Sequence, residues 1–319
     1  MKGLIKYSGN PVLSAQNIPY NSSLVFNAGV TKYNGKYIMV FRNDYGFFPG
    51  GQKDKGTNIG VAFSDDGLNW ETQPTPWIEI KDDPEISRFY DPRLTVIDGR
   101  CYMCFAVDTE HGVRGGVAVT DDFDSYEILS MSTPDNRNMV LFPEKIKGNF
   151  IRLERPFPEY GRGYKERFDI WMSESPDCRY WGDTRLVLGT EDVPFANSKI
   201  GPGAPPVKTS AGWLTTFHAV WKHEDKLLKG WETSDWRKEY YGGLALLDLD
   251  DPSKVIGIYK EPLLKAEHEY EIDGFRGSVI FPGGMILEDD GEVKIYYGAA
   301  DTFEAVATAD VNYLISLCK

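Results

Sequence analysis

The stretch Tyr33-Asn-Gly-Lys-Tyr-Ile-Met-Val-Phe-Arg42 decides the fold, because the same pattern returns four more times along the chain. Each copy is a tight turn containing glycine, followed by a strand rich in aromatic and β-branched residues. Asn-Gly or Asp-Gly before such a run is a strong hairpin signal, since glycine tolerates the positive φ of a tight turn. The later copies begin at Ile97, Ile146, Ser210 and Asp289, with turn glycines at positions 99, 148, 212 and 291.

The distance between successive copies fits one four-stranded sheet with its loops. This repeat is longer than the units of about 40–50 residues that build many propellers. The spacing predicts an all-β protein that is a single five-bladed β-propeller, one domain over residues 1–319. A second motif, a strand that ends in a Ser/Asp/Thr-rich turn, follows each of the first four copies. Its side chains are suited to hydrogen-bond the local backbone, so most acidic residues receive a structural role. We expect helix to be minor.

Charge and composition exclude several classes of function. The chain has 35 Lys+Arg against 48 Asp+Glu, a formal net charge of −13, whereas general binders of nucleic acid or anionic membranes need a basic surface. Four cysteines are too few for a disulfide scaffold, and no stretch approaches the roughly 18 apolar residues of a membrane span. We therefore expect a cytoplasmic protein with neither nucleic acid nor membrane as partner. Cys101-Tyr-Met-Cys104 is interpreted as strand, not as a metal or redox site.

In a propeller, the strands nearest the axis bring their loops to one central depression, so functional residues are expected at corresponding ends of successive blades. Polar residues that interrupt apolar strands are the candidates. They fall in Phe26-Asn27, Arg88-Phe-Tyr-Asp-Pro-Arg93, Asp135-Asn-Arg-Asn-Met-Val-Leu-Phe-Pro143, Arg152-Leu-Glu-Arg-Pro156, Ser198-Lys-Ile-Gly-Pro-Gly203, Phe217-His218, Gly274-Phe-Arg-Gly-Ser-Val-Ile-Phe-Pro282 and Gly298-Ala-Ala-Asp-Thr302.

Together and in order, these segments resemble glycoside hydrolase family 130, the five-bladed-propeller β-mannoside phosphorylases. The likeness extends from Asn10-Pro-Val-Leu13 to Tyr296-Tyr-Gly-Ala-Ala-Asp-Thr302, and the wording Arg152-Leu-Glu-Arg-Pro-Phe-Pro158 is similar to the mannooligosaccharide phosphorylase branch. The resemblance implies inverting phosphorolysis of β-1,4-mannooligosaccharides at the non-reducing-end mannose. The products would be α-D-mannose 1-phosphate and a shortened acceptor, with inorganic phosphate as cosubstrate. The sequence has no metal-ligand spacing, glycine-rich phosphate loop or dinucleotide fingerprint, so we expect no metal and no other cofactor.

Phosphorolysis needs a proton for the departing glycosidic oxygen and a cationic cradle for the phosphate, but no protein base, because phosphate is already anionic. An inverting hydrolase instead needs a second carboxylate, about 6.5–9.5 Å from the first, to activate water. Asp91 is the candidate acid, and Pro92 is expected to bias it toward an extended backbone. An Asp-Pro turn is the structural alternative. The resemblance implies that Asp91 is the general acid and that it acts through the mannose 3-hydroxyl as a proton relay.

The resemblance also implies the remaining site residues. Guanidinium groups bind phosphate oxygens bidentately, whereas lysine acts as a point charge. Taken singly, each residue also has a structural explanation, such as a solvated arginine, a core histidine or, for Asp301, a turn cap. The implied phosphate site is Arg137, Asn138, Arg155, Lys199, His218 and Tyr241, and the implied mannosyl site is Asn27, Arg42, Tyr90 and Asp301.

The chain departs from the family pattern at two places. Asn27-Ala28 stands where Asn-Ser is common, and Arg276-Gly-Ser278 stands where Val-Pro-Asn is usual, which adds a cation at the cleft. Three aromatic loops, 43–58, 157–168 and 221–241, are expected to shape the outer sugar subsites. Packing against the scaffold or against a neighbouring subunit explains such aromatics equally well, which leaves a homo-oligomer open.

Three alternative functions remain at this point. Linkage is read by loops that the motifs do not determine, so β-1,2-mannobiose or mannosyl-glucose is an alternative substrate for a phosphorylase. An inverting β-mannoside hydrolase would have lost the cationic set and gained a water-activating carboxylate. A non-catalytic carbohydrate-binding propeller would need stacking aromatics but neither Asp91 nor the phosphate cradle.

Overall fold

Five antiparallel sheets arranged as the blades of a propeller make up the computed structural model, which describes residues 3–48, 51–157 and 168–319. This confirms the predicted all-β, five-bladed fold. In the first three blades, the strands follow one another in chain order from the axis outward. Blade 1 contains β2 (Leu24–Tyr33), β3 (Lys36–Phe48), β4 (Gly51–Ser64) and β5 (Glu71–Thr72), with β6 (Ile78–Glu79) also on β4. Blade 2 contains β7 (Ile86–Ile97), β8 (Arg100–Thr109), β9 (Gly112–Thr120) and β10 (Glu127–Met131). Blade 3 contains β11 (Asn136–Leu141), β12 (Phe150–Pro156), β13 (Ile170–Ser175) and β14 (Gly182–Leu188).

The last two blades depart from this simple order. In blade 4, the inner position is divided between β15 (Lys199–Pro202) and β16 (Val207–Thr209), which both pair with β17 (Gly212–Lys222), and β18 (Lys238–Leu247) and β19 (Val255–Ile258) follow. Blade 5 contains β20 (Ile280–Leu287), β21 (Glu292–Ala299) and β22 (Phe303–Asp310). Its outer strand is β1 (Ile5–Lys6), which pairs antiparallel with β22. The beginning of the chain therefore completes the last blade.

Helix is minor, as predicted. The described part of the chain contains two short α-helices, α1 (Glu269–Ile272) and α2 (Val311–Leu317), and two 3₁₀ turns at Ala15–Asn17 and Thr190–Asp192. No helix among the described residues is both long and apolar enough to cross a membrane.

The repeated turns that predicted the fold join the inner strand of each blade to the next strand. Asn34 and Gly35 between β2 and β3 both have left-handed backbone, with φ of 50° and 79°, and Asp98 and Gly99 between β7 and β8 have φ of 51° and 78°. Two successive left-handed residues are the mark of the type I′ turn, whose twist matches that of the flanking strands. The hairpin prediction is confirmed at these positions.

The Ser/Asp turns also form as predicted. Asp66 accepts hydrogen bonds from the backbone N–H groups of Leu68 and Asn69, each at 2.8 Å. Asp122, Asp177 and Asp248 make the equivalent pair of bonds in the next three blades. In blade 5 the corresponding residue, Asp310, caps the first turn of α2. Part of the acidic excess is thus used to close the outer turns of the blades.

Arg93 forms hydrogen bonds to the inner parts of several blades. Its buried guanidinium donates from Nε to the Gly203 carbonyl at 2.9 Å and from Nη1 to the carbonyls of Asn27 at 3.2 Å and Pro92 at 2.8 Å. Its Nη2 lies 3.5 Å from the carbonyl oxygen of Pro282. One side chain therefore connects the inner parts of blades 1, 2, 4 and 5 and fixes the backbone beside Asn27 and Asp91.

Candidate active site

A cavity of about 600 Å³ opens where the inner strands meet. Every residue that the sequence predicted for the site lines it, with the exception of Tyr241. They are Asn27, Arg42, Tyr90, Asp91, Arg137, Asn138, Arg155, Lys199, His218 and Asp301. Residues that are distant in the sequence are thus brought together by the convergence of five blades.

The same backbone device presents a polar side chain to this cavity in each of the first three blades. The inner strand contains a β-bulge at Asn27, at Asp91 and at Asn138, where the pairing register shifts. All three residues have left-handed backbone, with φ of 53°, 53° and 57°. Asn and Asp tolerate this conformation better than other non-glycine residues, and a bulge redirects the side chain out of the regular alternation.

The expectation that Pro92 keeps Asp91 extended is therefore wrong. The following proline disfavours the right-handed helical region for Asp91, and this local preference is met without an extended strand, because the bulge between Tyr90 and Arg93 requires a left-handed residue. The proline disfavours one conformation, and the geometry of the sheet decides between those that remain.

The Asp91 carboxylate is held by two residues of blade 1. Asn27 donates from Nδ2 to Asp91 Oδ1 at 3.0 Å, and Arg42 Nη1 lies 3.5 Å from the same oxygen. Burial alone would raise the pKa of Asp91, but the charges of Arg42 and Arg93 and the hydrogen bond from Asn27 hold that pKa below its usual value. Since both contacts are to Oδ1, Oδ2 is the oxygen left to carry and donate a proton.

Three of the cavity's cations are paired with carboxylates. Arg42 donates to both oxygens of Asp44, at 2.9 and 2.5 Å, and its guanidinium lies 4.5 Å from the centre of the Phe26 ring. Arg88 pairs with Asp108 at 2.7 Å, and Arg276 pairs with Glu232. These three are largely neutralised by their partners.

The other three cations, Arg137, Arg155 and Lys199, have no carboxylate in ion-pair contact within the described parts of the chain. Arg137 lies 3.4 Å from the hydroxyl of Tyr90, and the Nζ of Lys199 lies 5.3 Å from the centre of the Tyr240 ring. Burial, followed by the charge of a neighbouring arginine, lowers the pKa of both Arg155 and Lys199. Like charges held together without a counter-charge form a binding site for an anion.

His218 contacts this cationic cluster as a neutral ring. Its Nε2 lies 3.1 Å from Nη1 of Arg155, and because a guanidinium only donates, Nε2 must accept and the ring proton is assigned to Nδ1. Burial and the charges of Arg155 and Lys199 hold the pKa of His218 well below its usual value. The contact needs a glycine opposite, since a Cβ on Gly201 would lie 2.4 Å from Cε1 of the ring.

Tyr241 does not face the cavity, contrary to the prediction. Its ring packs edge-on against Phe195, with centroids 6.1 Å apart, on the opposite side of β18. Tyr240 lines the cavity instead and stacks on His218 with centroids 6.3 Å apart. Neighbouring side chains of a strand point to opposite faces, so only one of the two tyrosines can reach the site.

Asp301 lies at the end of β21, in a left-handed conformation with φ of 49°. Burial raises the pKa of its carboxyl group, against the opposing charges of Arg276 and Arg42. On blade 2, Tyr90 is fixed by a hydrogen bond from its hydroxyl to Asp108 Oδ1 at 2.7 Å. A carboxylate and a fixed aromatic ring in one cavity suit the binding of a sugar.

Five lining residues were not predicted for the phosphate or mannosyl site, although all but Tyr240 lie in the candidate segments of the sequence. Arg88 lies two residues before Tyr90 on β7, so the alternation of the strand was the signal that could have found it. Phe281 stacks on His218, with centroids 4.5 Å apart, which is a contact between blades that no local pattern reveals. The five are Arg88, Tyr240, Arg276, Val279 and Phe281.

The aromatic loops divide into two kinds. Trp236 is buried and donates from Nε1 to the Gly277 carbonyl at 2.8 Å, so it packs against the scaffold. Trp231, which is 41% exposed, and Phe47, whose ring meets Phe275 at 5.4 Å, remain near the surface. The Phe48 side chain and most of the predicted loop 157–168, namely 158–167, lie outside the described residues.

The known proteins that this chain is similar to include several phosphorylases of β-mannosides. A family model described as beta-1,4-mannooligosaccharide phosphorylase matches residues 4–319. The chain is 32% identical to the beta-1,4-mannooligosaccharide phosphorylase of Ruminococcus albus, over 98% of this chain and 90% of that protein. It is 31% identical to the 1,2-beta-oligomannan phosphorylase of Thermoanaerobacter sp. strain X514, over 97% and 98%. The β-1,2-mannobiose phosphorylase of Listeria innocua, solved with β-1,2-mannobiose, superposes with a TM-score of 0.85 at 25% identity, with 99% of each chain covered.

Proposed function

The chain belongs to glycoside hydrolase family 130, and from that premise we propose that this β-mannoside phosphorylase acts on β-1,4-mannooligosaccharides. The reaction removes the non-reducing-end mannose with inorganic phosphate and yields α-D-mannose 1-phosphate and an acceptor one sugar shorter. The β-1,4 linkage is favoured by the match of residues 4–319 to the family description and by the relative from Ruminococcus albus.

One observation carries the proposal of phosphorolysis: Arg137, Arg155 and Lys199 line the same cavity as Asp91 and have no carboxylate partner among the described residues. A hydrolase has no use for an uncompensated cationic cluster beside its acid. A phosphate nucleophile does, because its charge must be held close to the anomeric carbon. The non-catalytic alternative likewise leaves these buried charges without a purpose.

The proposed step begins with mannose held among Asn27, Arg42, Tyr90 and Asp301. Asp91 releases its proton from Oδ2, by way of the mannose 3-hydroxyl, to the departing glycosidic oxygen. The bond from the anomeric carbon to that oxygen breaks, and a phosphate oxygen forms the new bond from the opposite face of the sugar. Attack from the opposite face converts the β-linkage into an α-phosphate.

Phosphate itself would help Asp91 to act as an acid. The charge of Arg137 contributes to the low pKa of Asp91, and a bound phosphate dianion would offset that charge. The pKa of Asp91 would then rise toward the working pH. Binding of the phosphate nucleophile is therefore expected to favour the protonated form of Asp91, which is the form that donates the proton.

A second candidate is phosphorolysis of β-1,2-linked mannosides. The Thermoanaerobacter relative named for β-1,2-oligomannan aligns with nearly the whole of both chains, at almost the same identity as the β-1,4 enzyme. The polar residues around the mannosyl unit leave the acceptor linkage to the loops at the mouth of the cavity. Both candidates share the same chemistry.

The test is to incubate the purified protein with β-1,4-mannobiose, β-1,2-mannobiose and mannosyl-glucose, each with and without phosphate. We expect mannose 1-phosphate only in the presence of phosphate, and fastest from the β-1,4 substrate. Equal release of free mannose in both conditions would instead identify a hydrolase. Phosphate-dependent turnover of the β-1,2 substrate alone would replace the first candidate by the second.

A further inference from the structure

We propose that Arg276 is a positioning residue of the mannosyl site, which holds the Asp301 carboxylate in place and is itself held by Glu232 at the mouth of the cavity. The inference rests on the proposed function in one respect, namely that Asp301 binds mannose. It gives a role to Arg276, which the sequence placed at the cleft, and it adds Glu232 to the site.

Two carboxylates share the Arg276 guanidinium. Its Nε and Nη2 donate to the two oxygens of Glu232, the second at 2.7 Å, and its Nη1 lies 3.4 Å from Oδ2 of Asp301. Glu232 belongs to the segment between β17 and β18, whereas Asp301 follows β21. A bidentate contact fixes the plane of a guanidinium as well as its distance. Through Arg276, the exposed residue Glu232 is thus connected to the buried carboxyl group of Asp301.

The segment that carries Glu232 is firmly attached to the loop that carries Arg276. Trp231 N–H donates to the Gly274 carbonyl at 2.9 Å, and Gly277 N–H donates to the Lys229 carbonyl at 2.9 Å. The approach is so close that a Cβ on Gly277 would lie 2.4 Å from the Lys229 carbonyl oxygen. Both ends of the Glu232–Arg276 pair are therefore held by backbone bonds, and the pair is preorganised, unlike an ordinary surface ion pair.

An ionised Asp301 accepts hydrogen bonds with both oxygens, which suits two neighbouring sugar hydroxyls, whereas a protonated one loses part of that capacity. Burial favours the protonated form, and Arg276 is the strongest of the charges that oppose it. Arg276 thus counteracts the effect of burial on the pKa of Asp301 and also orients its carboxyl group. The charged and titratable groups that face Asp301 are Arg42 and Asp44 from β3, Asp91 from β7, Tyr240 from β18, and Arg276 itself.

The competing interpretation makes Arg276 a fourth cation of the phosphate site. Its pairing argues against this, since Arg137, Arg155 and Lys199 have no carboxylate partner within the described residues, whereas Arg276 has two. The two interpretations differ in which ligand weakens when the charge is removed.

The experiment measures binding of methyl β-mannoside to the full chain by calorimetry, in phosphate-free buffer from pH 4 to 8, and KM for phosphate in turnover assays. We expect Arg276→Gln to weaken mannoside binding by about tenfold. In the pH dependence of mannoside binding by this variant, the acidic limb should move to higher pH by at least about half a unit. KM for phosphate should change less than about threefold. Arg276→Lys, which keeps the charge, should bind less tightly with the limb unmoved. Glu232→Gln should weaken binding without raising the limb.

A higher KM for phosphate with unchanged mannoside binding in Arg276→Gln would overturn the inference and assign Arg276 to the phosphate site. An unmoved acidic limb in Arg276→Gln would also overturn it. If the wild type binds the mannoside but shows no phosphate-dependent turnover, the proposed function fails while the binding measurements still decide the role of Arg276. A wild type that binds no mannoside would overturn both.

Discussion

The amide nitrogen of Asn27 lies 3.0 Å from Oδ1 of Asp91, so a residue from blade 1 holds the candidate acid of blade 2. Both residues occupy equivalent bulges, and both have left-handed backbone with φ of 53°. The bulges create the contact, because regular strands would not direct the two side chains out of their sheets toward one another.

Asp91→Asn should fold normally but lose about 10²–10⁴-fold in kcat for the mannoside, because the amide has no proton of suitable acidity. Asn27→Gly removes the hydrogen bond and keeps the left-handed backbone, so it should raise the pKa of Asp91. Since the reaction needs protonated Asp91, the alkaline limb of the rate profile should move to higher pH. Rate profiles and thermal unfolding of both variants provide the measurement. A fully active Asp91→Asn would disprove the assignment.

The affinity for phosphate is expected to depend on the cations that line the cavity, not on the net charge of the protein. Arg155→Ala should raise KM for phosphate by about 10–100-fold and leave KM for the mannoside within about threefold, because a charged donor is lost from a buried site. His218→Ala removes the acceptor that orients Arg155 and should act in the same direction. The control is Arg100→Ala, which makes the same charge change at an exposed ion pair with Asp121. Equal effects of Arg100→Ala and Arg155→Ala on phosphate would contradict the local cradle.

Tyr240 and Tyr241 form a matched pair on the two faces of β18. Tyr240→Ala should raise KM for phosphate, since the ring stacks on His218 and lies beneath Lys199. Tyr241→Ala should leave KM for phosphate unchanged and lower the free energy of unfolding by about 1–3 kcal/mol, because it opens the packing against Phe195. Steady-state kinetics and urea unfolding separate the two effects. The reverse pattern would restore Tyr241 to the site.

The two tyrosines also show where sequence reasoning stops. The turn glycines predicted five blades because a hairpin is a local structure, and the ordered motifs brought together Asp91, Arg155 and His218. Which of two adjacent tyrosines faces inward depends on the register between strands, and the left-handed backbone of Asp91 depends on a bulge in the completed sheet. The pairing of β1 with β22 joins the two ends of the chain, and no local pattern encodes it.

Glu304 is a fully buried residue of β22 that does not line the cavity. Its Oε2 accepts a hydrogen bond from the Ala28 N–H at 3.1 Å, and Oε1 is buried without a hydrogen-bond partner in the described structure. Burial raises the pKa of this carboxyl group to about 8. The folded protein therefore keeps Glu304 protonated at neutral pH, whereas the unfolded chain ionises it at its ordinary pKa of 4.5.

Because the pKa is higher in the folded state, the stabilising contribution is complete below about pH 4.5 and is lost as pH rises toward 8. Glu304→Gln keeps the acceptor for Ala28 and cannot ionise. We therefore expect the free energy of unfolding of Glu304→Gln, relative to that of the wild type, to increase by a few kcal/mol from pH 5 to pH 8. Urea unfolding at both pH values measures this difference. The exposed Glu224→Gln variant serves as the control and should follow the wild type at both pH values. A constant difference between Glu304→Gln and the wild type across this range would show that Glu304 titrates alike in both states.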